Sequence, residues 1–405
     1  MTQTKEKTQK ARKFILVTPN NNNKFYNMLD MGDDTFLAEW GRVGAKTISK
    51  TYPISQWQSK SREKMNKGYK DITHIFSDSK EVEEYCDIDD HNISSLVKSL
   101  QQYSRQSIYD NYMITSENVT PAMIESAQSV IDQIMFLIEK RKYSAKDIDN
   151  LLIELYTIIP RRMTHVKEHL TSSMKNIKKE LRNKIAQEQE TLDVMRGEVS
   201  VNEKTRETSQ SLLEAIGISV ENVNNSEIKT IKKLMGKDKD YFRRAFKINH
   251  TKSQDRYTQQ FSQSKKKKSQ LLWHGSRNEN WWSILESGLL LRPASAVITG
   301  KMFGYGIYFA DAMKKSMGYT SSYGSYWAGG SSSTAYLALF DVHLGNPLKV
   351  KAHDDWMYDL TQNKLRRRGD YDSLFAKGGI DLINNEYIIY SESQCTIKYL
   401  IEIGV

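Results

Sequence analysis

The C-terminal half of the chain, from about residue 210 onward, limits the possible folds most strongly. Short runs rich in β-branched and aromatic residues alternate there with glycine- and serine-rich loops, as in FKI, AYLALFDVHL, EYIIY and IKYLIEI. These strand-like runs are not regularly followed by helical patterns, which argues against a parallel doubly wound sheet. The spacing of Gly300, Gly304 and Gly306 also lacks the G-x-G-x-x-G pattern of a dinucleotide-binding loop. The sequence therefore predicts an α+β domain over residues 209–405.

Residues 91–208 show the periodicity of helices. Thr120 is a candidate N-cap followed by Pro121 at the first helical position. Apolar residues then recur at three- and four-residue steps from Met123 to Ile138. Ser144 and Asp147 resemble a capping box ahead of a second apolar stripe, and a long charged helix is expected near residues 174–195. We interpret this region as an all-α domain whose stripes form a packed core.

The first 77 residues form a basic block with short strands. FILVTP, KFYNMLD and TFLAEWGRV have strand character, and residues 54–69 have the pattern of a basic helix. Residues 1–71 contain 14 Lys and Arg against 7 Asp and Glu, whereas residues 78–90 contain seven acidic residues and one Lys. We interpret 78–90 as an acidic linker. A concentrated basic excess suits a binder of phosphate backbones, although a solvated basic face is the more common cause.

The composition also narrows the cellular setting. No window approaches 18 consecutive apolar residues, so we expect no membrane span and no membrane partner. The N-terminus has charge without an apolar core behind it, unlike a secretory signal. Cys86 and Cys395 are far apart and form no metal-ligand pattern. We therefore expect a reducing intracellular compartment, the nucleus in a eukaryote and otherwise the cytoplasm, and no metal site.

Four segments contain the residues best suited to chemistry. They are LLWHGSR at Leu271–Arg277, MFGYGIYFAD at Met302–Asp311, KKSMGY at Lys314–Tyr319 and NNEYIIY at Asn384–Tyr390. Taken singly, each has an ordinary structural explanation. A histidine in an apolar strand is usually a hydrogen-bonded core residue, and a tyrosine there is usually a core aromatic. Only their combination argues for a site.

In order and wording, these four segments resemble the catalytic domain of poly(ADP-ribose) polymerases over nearly all of residues 209–405. The resemblance implies a split antiparallel β-sandwich and NAD⁺ as the substrate, with no metal. It also implies a catalytic triad of His274, Tyr308 and Glu386.

The same resemblance assigns roles to the residues around NAD⁺. Cleavage of the nicotinamide–ribose bond passes through an oxocarbenium-like state, which the carboxylate of Glu386 would stabilise. His274 and Ser276 would contact the adenosine-side ribose, and the Gly275 backbone would meet the nicotinamide amide. The remaining implied NAD⁺ contacts are Ser316 to the same amide, Tyr308 and Tyr319 against the nicotinamide ring, and Arg292 to phosphate.

Two departures from the family pattern concern the acceptor side. Met302 and Lys315 match residues that the family places there, but Lys301 stands where polymer-forming members often carry an aromatic residue. The segment from Lys351 to Ile383 is also shorter than the usual insertion. Both departures bear on chain elongation, while the presence of Glu386 favours polymerisation.

The N-terminal block has its own resemblance. AEWGRVGAKT resembles the WGR domain of DNA-activated members of the family, which implies that Trp40 presses on a terminal sugar or base and that Arg42 holds a phosphate. Residues 91–208 would then be the regulatory helical domain that covers the NAD⁺ site until DNA binds. The predicted protein is a multidomain α+β, DNA-dependent poly(ADP-ribose) polymerase. Its expected partners are DNA breaks or ends and protein acceptors, including itself, in the DNA damage response.

Two other functions remain open. A mono-ADP-ribosyltransferase acting on protein side chains or nucleic-acid termini would suit Lys301 and the short acceptor segment. A catalytically quiet scaffold that binds DNA ends would use the first block alone. The intact set of His274, Tyr308 and Glu386 argues against the scaffold.

Overall fold

The structure, a computed structural model, describes residues 10–75, 88–114, 118–140, 143–207, 211–291, 302–322, 324–325, 328–329 and 332–404. The chain divides into two compact units. Unit 1 comprises Met1–Glu81 and Ser107–Met195, and unit 2 comprises Val82–Gln106 and Arg196–Val405. This division crosses the predicted helical domain, because helices at both of its ends contribute residues to unit 2. None of the described helices is long and apolar enough to cross a membrane.

Unit 1 contains a five-stranded antiparallel sheet with the order β4-β3-β2-β1-β5. The elements are β1 Ala11–Thr18, β2 Asn22–Asp30, β3 Thr35–Arg42, β4 Ile48–Pro53, helix α1 Trp57–Asn66 and β5 Lys70–Asp71. Phe14, Tyr26, Phe36 and Trp57 form the centre of its core. The three predicted strands and the basic helix are confirmed. Strand β4 was missed because its residues are mostly exposed and show no alternation of apolar side chains.

The helices predicted for residues 91–208 are present. They are α2 His91–Asn111, α3 Pro121–Lys140, α4 Ala145–Ile158 and α5 Ile177–Glu207. At the start of α3, Thr120 Oγ1 accepts a hydrogen bond from the Met123 amide at 3.2 Å, and Ser144 and Asp147 form the predicted capping box of α4. The apolar stripe from Met123 to Ile138 is buried, as predicted. Helix α5 continues well past the expected end near residue 195.

In the described residues, unit 2 contains two main sheets built mainly from antiparallel strands, and a separate pair of two-residue strands. Its strands are β6 Ile218–Asn222, β7 Phe242–His250, β8 Ser269–Gly275, β9 Ile307–Phe309, β10 Gly324–Ser325, β11 Ala328–Gly329, β12 Thr334–His343, β13 Pro347–Val350, β14 Ser373–Ala376, β15 Glu386–Ile389 and β16 Cys395–Gly404. Its short helices are α6 Leu212–Ala215, α7 Asn225–Met235, α8 Thr251–Gln263, α9 Trp281–Ser287, α10 Met313–Met317 and α11 Gln362–Gly369.

The two sheets have the orders β6-β7-β16-β12-β8 and β13-β14-β15-β9. Every pairing is antiparallel except that of β13 with β14. A bridge between Trp273 and Ala310 joins β8 of the first sheet to the end of β9 in the second. This arrangement confirms the predicted mixed fold with antiparallel sheets. It also brings the predicted site residues of β8, β9 and β15 toward one another.

The core of unit 2 lies on both faces of the larger sheet. Strand β12 is buried along almost its whole length, as expected for a strand covered on both sides. One face includes Trp281, Trp282 and Phe340, and residues of α2 and α5 join this cluster: Ile93, Leu96, Val97, Leu100 and Val201. The other face includes Trp273 and Leu337.

Candidate active site

His274 connects the two sheets of unit 2. It lies on β8 opposite Ala338 of β12, and its Nδ1 donates a hydrogen bond to the Tyr308 carbonyl oxygen at 3.0 Å. The imidazole is enclosed by Trp281, Phe309 and Phe340, and burial lowers the pKa of His274 below its usual value. The ring is therefore neutral near pH 7. With its proton on Nδ1, its Nε2 is a hydrogen-bond acceptor.

Gly275 follows on the same strand and allows an unusually close approach. A Cβ at this position would overlap the carbonyl oxygen of Ser316, the fourth residue of α10. Only glycine therefore lets α10 pack against β8, and this contact brings the predicted residues Gly275 and Ser316 together. Ser316 is buried. Nearby, Ser276 Oγ accepts a hydrogen bond from Asn280 Nδ2 at 3.0 Å, which orients the hydroxyl.

The Tyr308 hydroxyl both donates and accepts a hydrogen bond. The hydroxyl donates to the Gly304 carbonyl oxygen at 2.9 Å and accepts from the Phe303 amide at 3.0 Å. Gly304 has a φ of +80°, and a Cβ there would overlap the backbone of Leu360. Burial raises the pKa of Tyr308 well above its usual value, so the phenol stays protonated. These two hydrogen bonds hold the Tyr308 ring in a fixed position.

Glu386 begins β15 and is paired with a lysine. Its residue exposure is 7%, and Lys315 Nζ of α10 lies 2.5 Å from its Oε1. Both side chains are largely enclosed, so the ion pair is held in a fixed geometry. The sequence predicted these two residues separately, as catalytic and acceptor-side groups, and the fold joins them.

The negative charge of Glu386 affects the pKa of Tyr308 and of Tyr319, the two tyrosines predicted to contact the nicotinamide ring. Burial is the main cause that raises the pKa of Tyr308 and of Tyr319, and the Glu386 carboxylate adds to it in both cases. The negative charge of Glu386 therefore acts in the same direction as burial at both phenols. The Tyr319 side chain as a whole is 48% exposed, and its place beside the nicotinamide ring stays a prediction.

Asp311 is a supporting residue that sequence reasoning did not select. Its Oδ2 accepts hydrogen bonds from Asn385 Nδ2 at 2.7 Å and from the Tyr387 hydroxyl at 3.2 Å. These two donors flank Glu386 on either side, so Asp311 fixes the start of β15. Asp311 is the last residue of GIYFAD, and Asn385 and Tyr387 flank the glutamate of NNEYIIY. Their position inside these family-like segments was the sequence feature that could have identified them.

Two predicted residues lie outside the described residues, namely Arg292 and Lys301. Met302 is described and is partly buried against a cluster that includes Phe303 and Leu360. Its acceptor-side role stays a prediction.

In unit 1, Trp40 and Arg42 lie on β3. The Trp40 ring stacks on Tyr26 with centroids 5.9 Å apart, and Lys64 Nζ lies 4.0 Å from the centroid of the Tyr26 ring. The Arg42 guanidinium donates to the Asn21 carbonyl and side-chain oxygens at 2.9 and 3.0 Å, and to the Thr164 carbonyl oxygen at 2.6 Å. Arg42 therefore ties the sheet to the segment that follows α4. Its contact with a nucleic-acid phosphate stays a prediction.

Comparison with known proteins agrees with the family resemblance of the sequence segments. Residues 225–405 match the family model of the poly(ADP-ribose) polymerase catalytic domain. A putative poly(ADP-ribose) polymerase-like protein, 100L of Invertebrate iridescent virus 6, is 34% identical over 161 residues, covering 39% of this chain and 83% of that protein. The uncharacterized protein 101L of the same virus is 30% identical over 190 residues, covering 47% and 78%. Poly(ADP-ribose) polymerase 2-B of Oryza sativa subsp. japonica is 23% identical over 437 residues, covering 95% and 70%.

Proposed function

The chain belongs to the poly(ADP-ribose) polymerase family, and from this membership we propose that it is a DNA-dependent enzyme that builds poly(ADP-ribose) on protein acceptors, itself included. The coarser activity, transfer of ADP-ribose from NAD⁺, follows from the family and its catalytic domain. The observation that supports the finer proposal best is the enclosed pair of Glu386 and Lys315 beside Tyr308 and Tyr319. The setting that we propose is the DNA damage response.

The chemistry follows from what the pair can do. The bond between nicotinamide nitrogen and ribose C1 breaks, nicotinamide leaves as a neutral molecule, and positive charge develops on the ribose. An ionised Glu386 would stabilise that charge and accept the proton of an attacking acceptor hydroxyl as the new C1–O bond forms. The Lys315 ammonium lies 2.5 Å from the Glu386 carboxylate and orients it. A glutamine would supply neither the charge nor the base.

The NAD⁺ contacts that we propose use groups with matching chemistry. Close packing at Gly275 places Ser316 beside it, and the Gly275 backbone and the Ser316 hydroxyl would bind the nicotinamide amide. Tyr308 and Tyr319 would enclose the ring between a fixed wall and an exposed one. His274 and Ser276, which are oriented by Tyr308 and Asn280, would bind the adenosine-side ribose.

Two observations bear on whether the enzyme forms polymers or single adducts. A Glu386–Lys315 pair could activate the hydroxyl of a bound ADP-ribose acceptor, which supports polymerisation. The short stretch between Lys351 and Ile383 favours the alternative, a mono-ADP-ribosyltransferase acting on protein or nucleic-acid termini. Labelled NAD⁺ and product sizing separate the two, because a ladder supports polymerisation and a single adduct contradicts it.

DNA dependence rests on unit 1. The basic first block, the Trp40–Tyr26 stack and the Arg42 link to residue 164 support a nucleic-acid sensor that reports to the helical region of the same unit. The same labelling reaction with and without nicked or blunt-ended DNA tests this part. Equal incorporation in both reactions would contradict DNA dependence while leaving ADP-ribosyl transfer intact.

A further inference from the structure

Helix α11 carries three consecutive arginines beside a partly buried aromatic ring, that of Trp356. The helix begins after Thr361, whose Oγ1 accepts a hydrogen bond from the Lys364 amide at 3.4 Å. Arg366, Arg367 and Arg368 form its last turn and are all exposed. The Arg368 guanidinium carbon lies 3.4 Å from the centroid of the Trp356 ring. We call these three arginines and Trp356 the arginine patch.

The arginine patch is joined to the acceptor side of the active site. Leu365 anchors α11 in a buried cluster with Phe303 and Leu360, and Met302, Tyr308 and Trp356 pack against the same cluster. The Tyr305 amide donates to the Leu360 carbonyl oxygen at 2.9 Å, and Gly304 allows the two backbones to touch. Because a helix rises about 1.5 Å per residue, Arg366 lies roughly 6 Å along the axis from the start of α11 at Gln362. The arginine patch therefore lies on the helix that directly follows Leu360, whose cluster also contacts Met302.

Most of the positive charge of the arginine patch is not neutralised by ion pairs among the described residues. In the described part of the chain, Arg366 and Arg367 have no ion-pair partner, whereas Lys364 is paired with Asp359 at 3.8 Å. A helix C-terminus favours basic residues through its dipole, worth typically about 0.3–1 kcal/mol per residue. That effect explains basic character in the last turn, but not the choice of three arginines or their stacking. An arginine held flat on tryptophan keeps its N–H groups directed outward in its own plane, where a phosphate can bind in bidentate fashion.

We propose that the arginine patch binds pyrophosphate groups of the ADP-ribose chain that is being extended. The inference rests on the proposed polymer-forming function. Each ADP-ribose unit offers two phosphates and a flat adenine, which match Arg366 and Arg367 and the stacked pair of Arg368 and Trp356. A chain whose terminal ribose lies at Met302 and Lys315 would pass the patch as it leaves the site. The short stretch that contains α11 would thus retain the product between successive transfers.

Binding measurements on the full chain test the proposal without requiring turnover. The probe is ADP-ribose oligomer of uniform length, titrated into a Glu386→Gln background so that the chain is not modified. The double substitution Arg366→Gln/Arg367→Gln should weaken binding about 10- to 100-fold. It should also reduce the salt slope by roughly 1.4 units, at about 0.7 per phosphate contact on a single strand. Arg368→Lys keeps the charge but loses the flat stack, and should weaken binding several-fold.

The matched control is Lys265→Gln/Lys266→Gln, which removes two exposed charges from a loop of the same unit. Equal weakening by both double substitutions would overturn the proposal in favour of general electrostatic attraction. A single-stranded oligonucleotide of equal charge forms the second arm. If it competes as well as the oligomer and depends equally on Arg366 and Arg367, the patch is a nucleic-acid surface and the proposal is wrong. Absence of oligomer binding to the parent chain would also overturn the proposal.

Product length provides a test on the active chain, which retains Glu386. The Arg366 and Arg367 substitutions should shorten the products while the rate of the first transfer is unchanged. If transfer itself is absent, the proposed function has failed, whatever the binding data show.

Discussion

At the scale of single residues, Glu386 is the group on which the proposed chemistry depends. Glu386→Gln keeps the shape of the side chain but removes its charge, so NAD⁺ binding should remain and turnover should fall about 100- to 1,000-fold. Calorimetric binding of NAD⁺ and labelled incorporation measure the two quantities separately. The substitution leaves the Lys315 ammonium without its counter-charge, so thermal unfolding must be recorded alongside. Near-normal turnover in a folded variant would contradict the assignment of Glu386.

Gly275 provides a second residue-scale prediction. Gly275→Ala should push α10 away from β8, because the new methyl group would overlap the Ser316 carbonyl oxygen. Overpacking of this kind typically lowers the free energy of unfolding by about 1–3 kcal/mol. We also expect the affinity for nicotinamide to fall at least tenfold, measured by inhibition of incorporation.

Gly217→Ala is the matched control for this substitution. Gly217 differs from Gly275 in having a positive φ of +73°, and a Cβ there meets nothing within 4 Å, so alanine would strain the backbone without a clash. Its replacement should lower stability by about 1 kcal/mol without altering nicotinamide affinity. Equal nicotinamide affinity in the parent and Gly275→Ala chains would show that the close approach has no part in substrate binding.

At the scale of elements, the sequence predicted those helices and strands whose apolar or capping residues form a clear local pattern. The stripe of α3, the caps of α3 and α4, and the apolar runs of β12, β15 and β16 were predicted and are present. Strand β4 could not be predicted because its exposed residues carry no period, and its place is set by pairing with β3. The Glu386–Lys315 pair could not be predicted either, since its members are 71 positions apart in the sequence and only the fold brings them together.

The contact of α5 with α9 offers a test of the proposed regulation at this scale. Helix α9 closely follows His274–Arg277, and its buried Glu286 accepts hydrogen bonds from Ser200 Oγ at 2.6 Å and from Lys204. Glu286→Gln should weaken this contact by about 1.5–3 kcal/mol, since a charge-assisted bond is lost. If the helical region restrains the site, incorporation without DNA should rise several-fold.

Glu221→Gln is the control for Glu286→Gln, because it breaks an ion pair with Lys247 in which both side chains are exposed. Its activity without DNA should equal that of the parent chain. Hydrogen exchange along α5 shows whether the helix has loosened in Glu286→Gln. Faster exchange with no gain in activity would mean that the contact only supports the fold.

At the scale of the whole molecule, the predicted domain boundary near residue 209 does not coincide with the compact units. Ile93, Leu96, Val97 and Leu100 of α2 pack in the same cluster as Trp281 and Phe340 of the catalytic fold. A sequence pattern shows that a helix has an apolar face but not which sheet covers it. A fragment that starts near residue 210 would lack these side chains and expose the face that they cover. Regulation is therefore better tested in the full chain.

The last prediction concerns Trp40 and Arg42, of which only Arg42 is expected to make a charged contact with DNA. Arg42→Ala should weaken DNA binding and reduce its salt slope by about one unit, because one phosphate contact is lost. It should also loosen the segment after α4, since the guanidinium now bonds the Thr164 carbonyl oxygen. Trp40→Ala should weaken binding to ends or nicks with little change in slope, because stacking releases few ions. Both variants should lose stimulation by DNA and keep the activity measured without it.

Lys233→Ala is the charge-matched control for Arg42→Ala, because Lys233 is exposed on α7 in the other compact unit. Incorporation against DNA concentration at two salt levels discriminates between the possible outcomes. Loss of stimulation in Arg42→Ala with an unchanged salt slope would mean that Arg42 acts through residue 164 and touches no phosphate. Normal stimulation in both Trp40→Ala and Arg42→Ala would show that the basic first block is a solvated domain. In that case DNA is sensed elsewhere or not at all, while the catalytic assignment, which rests on unit 2, would be unaffected.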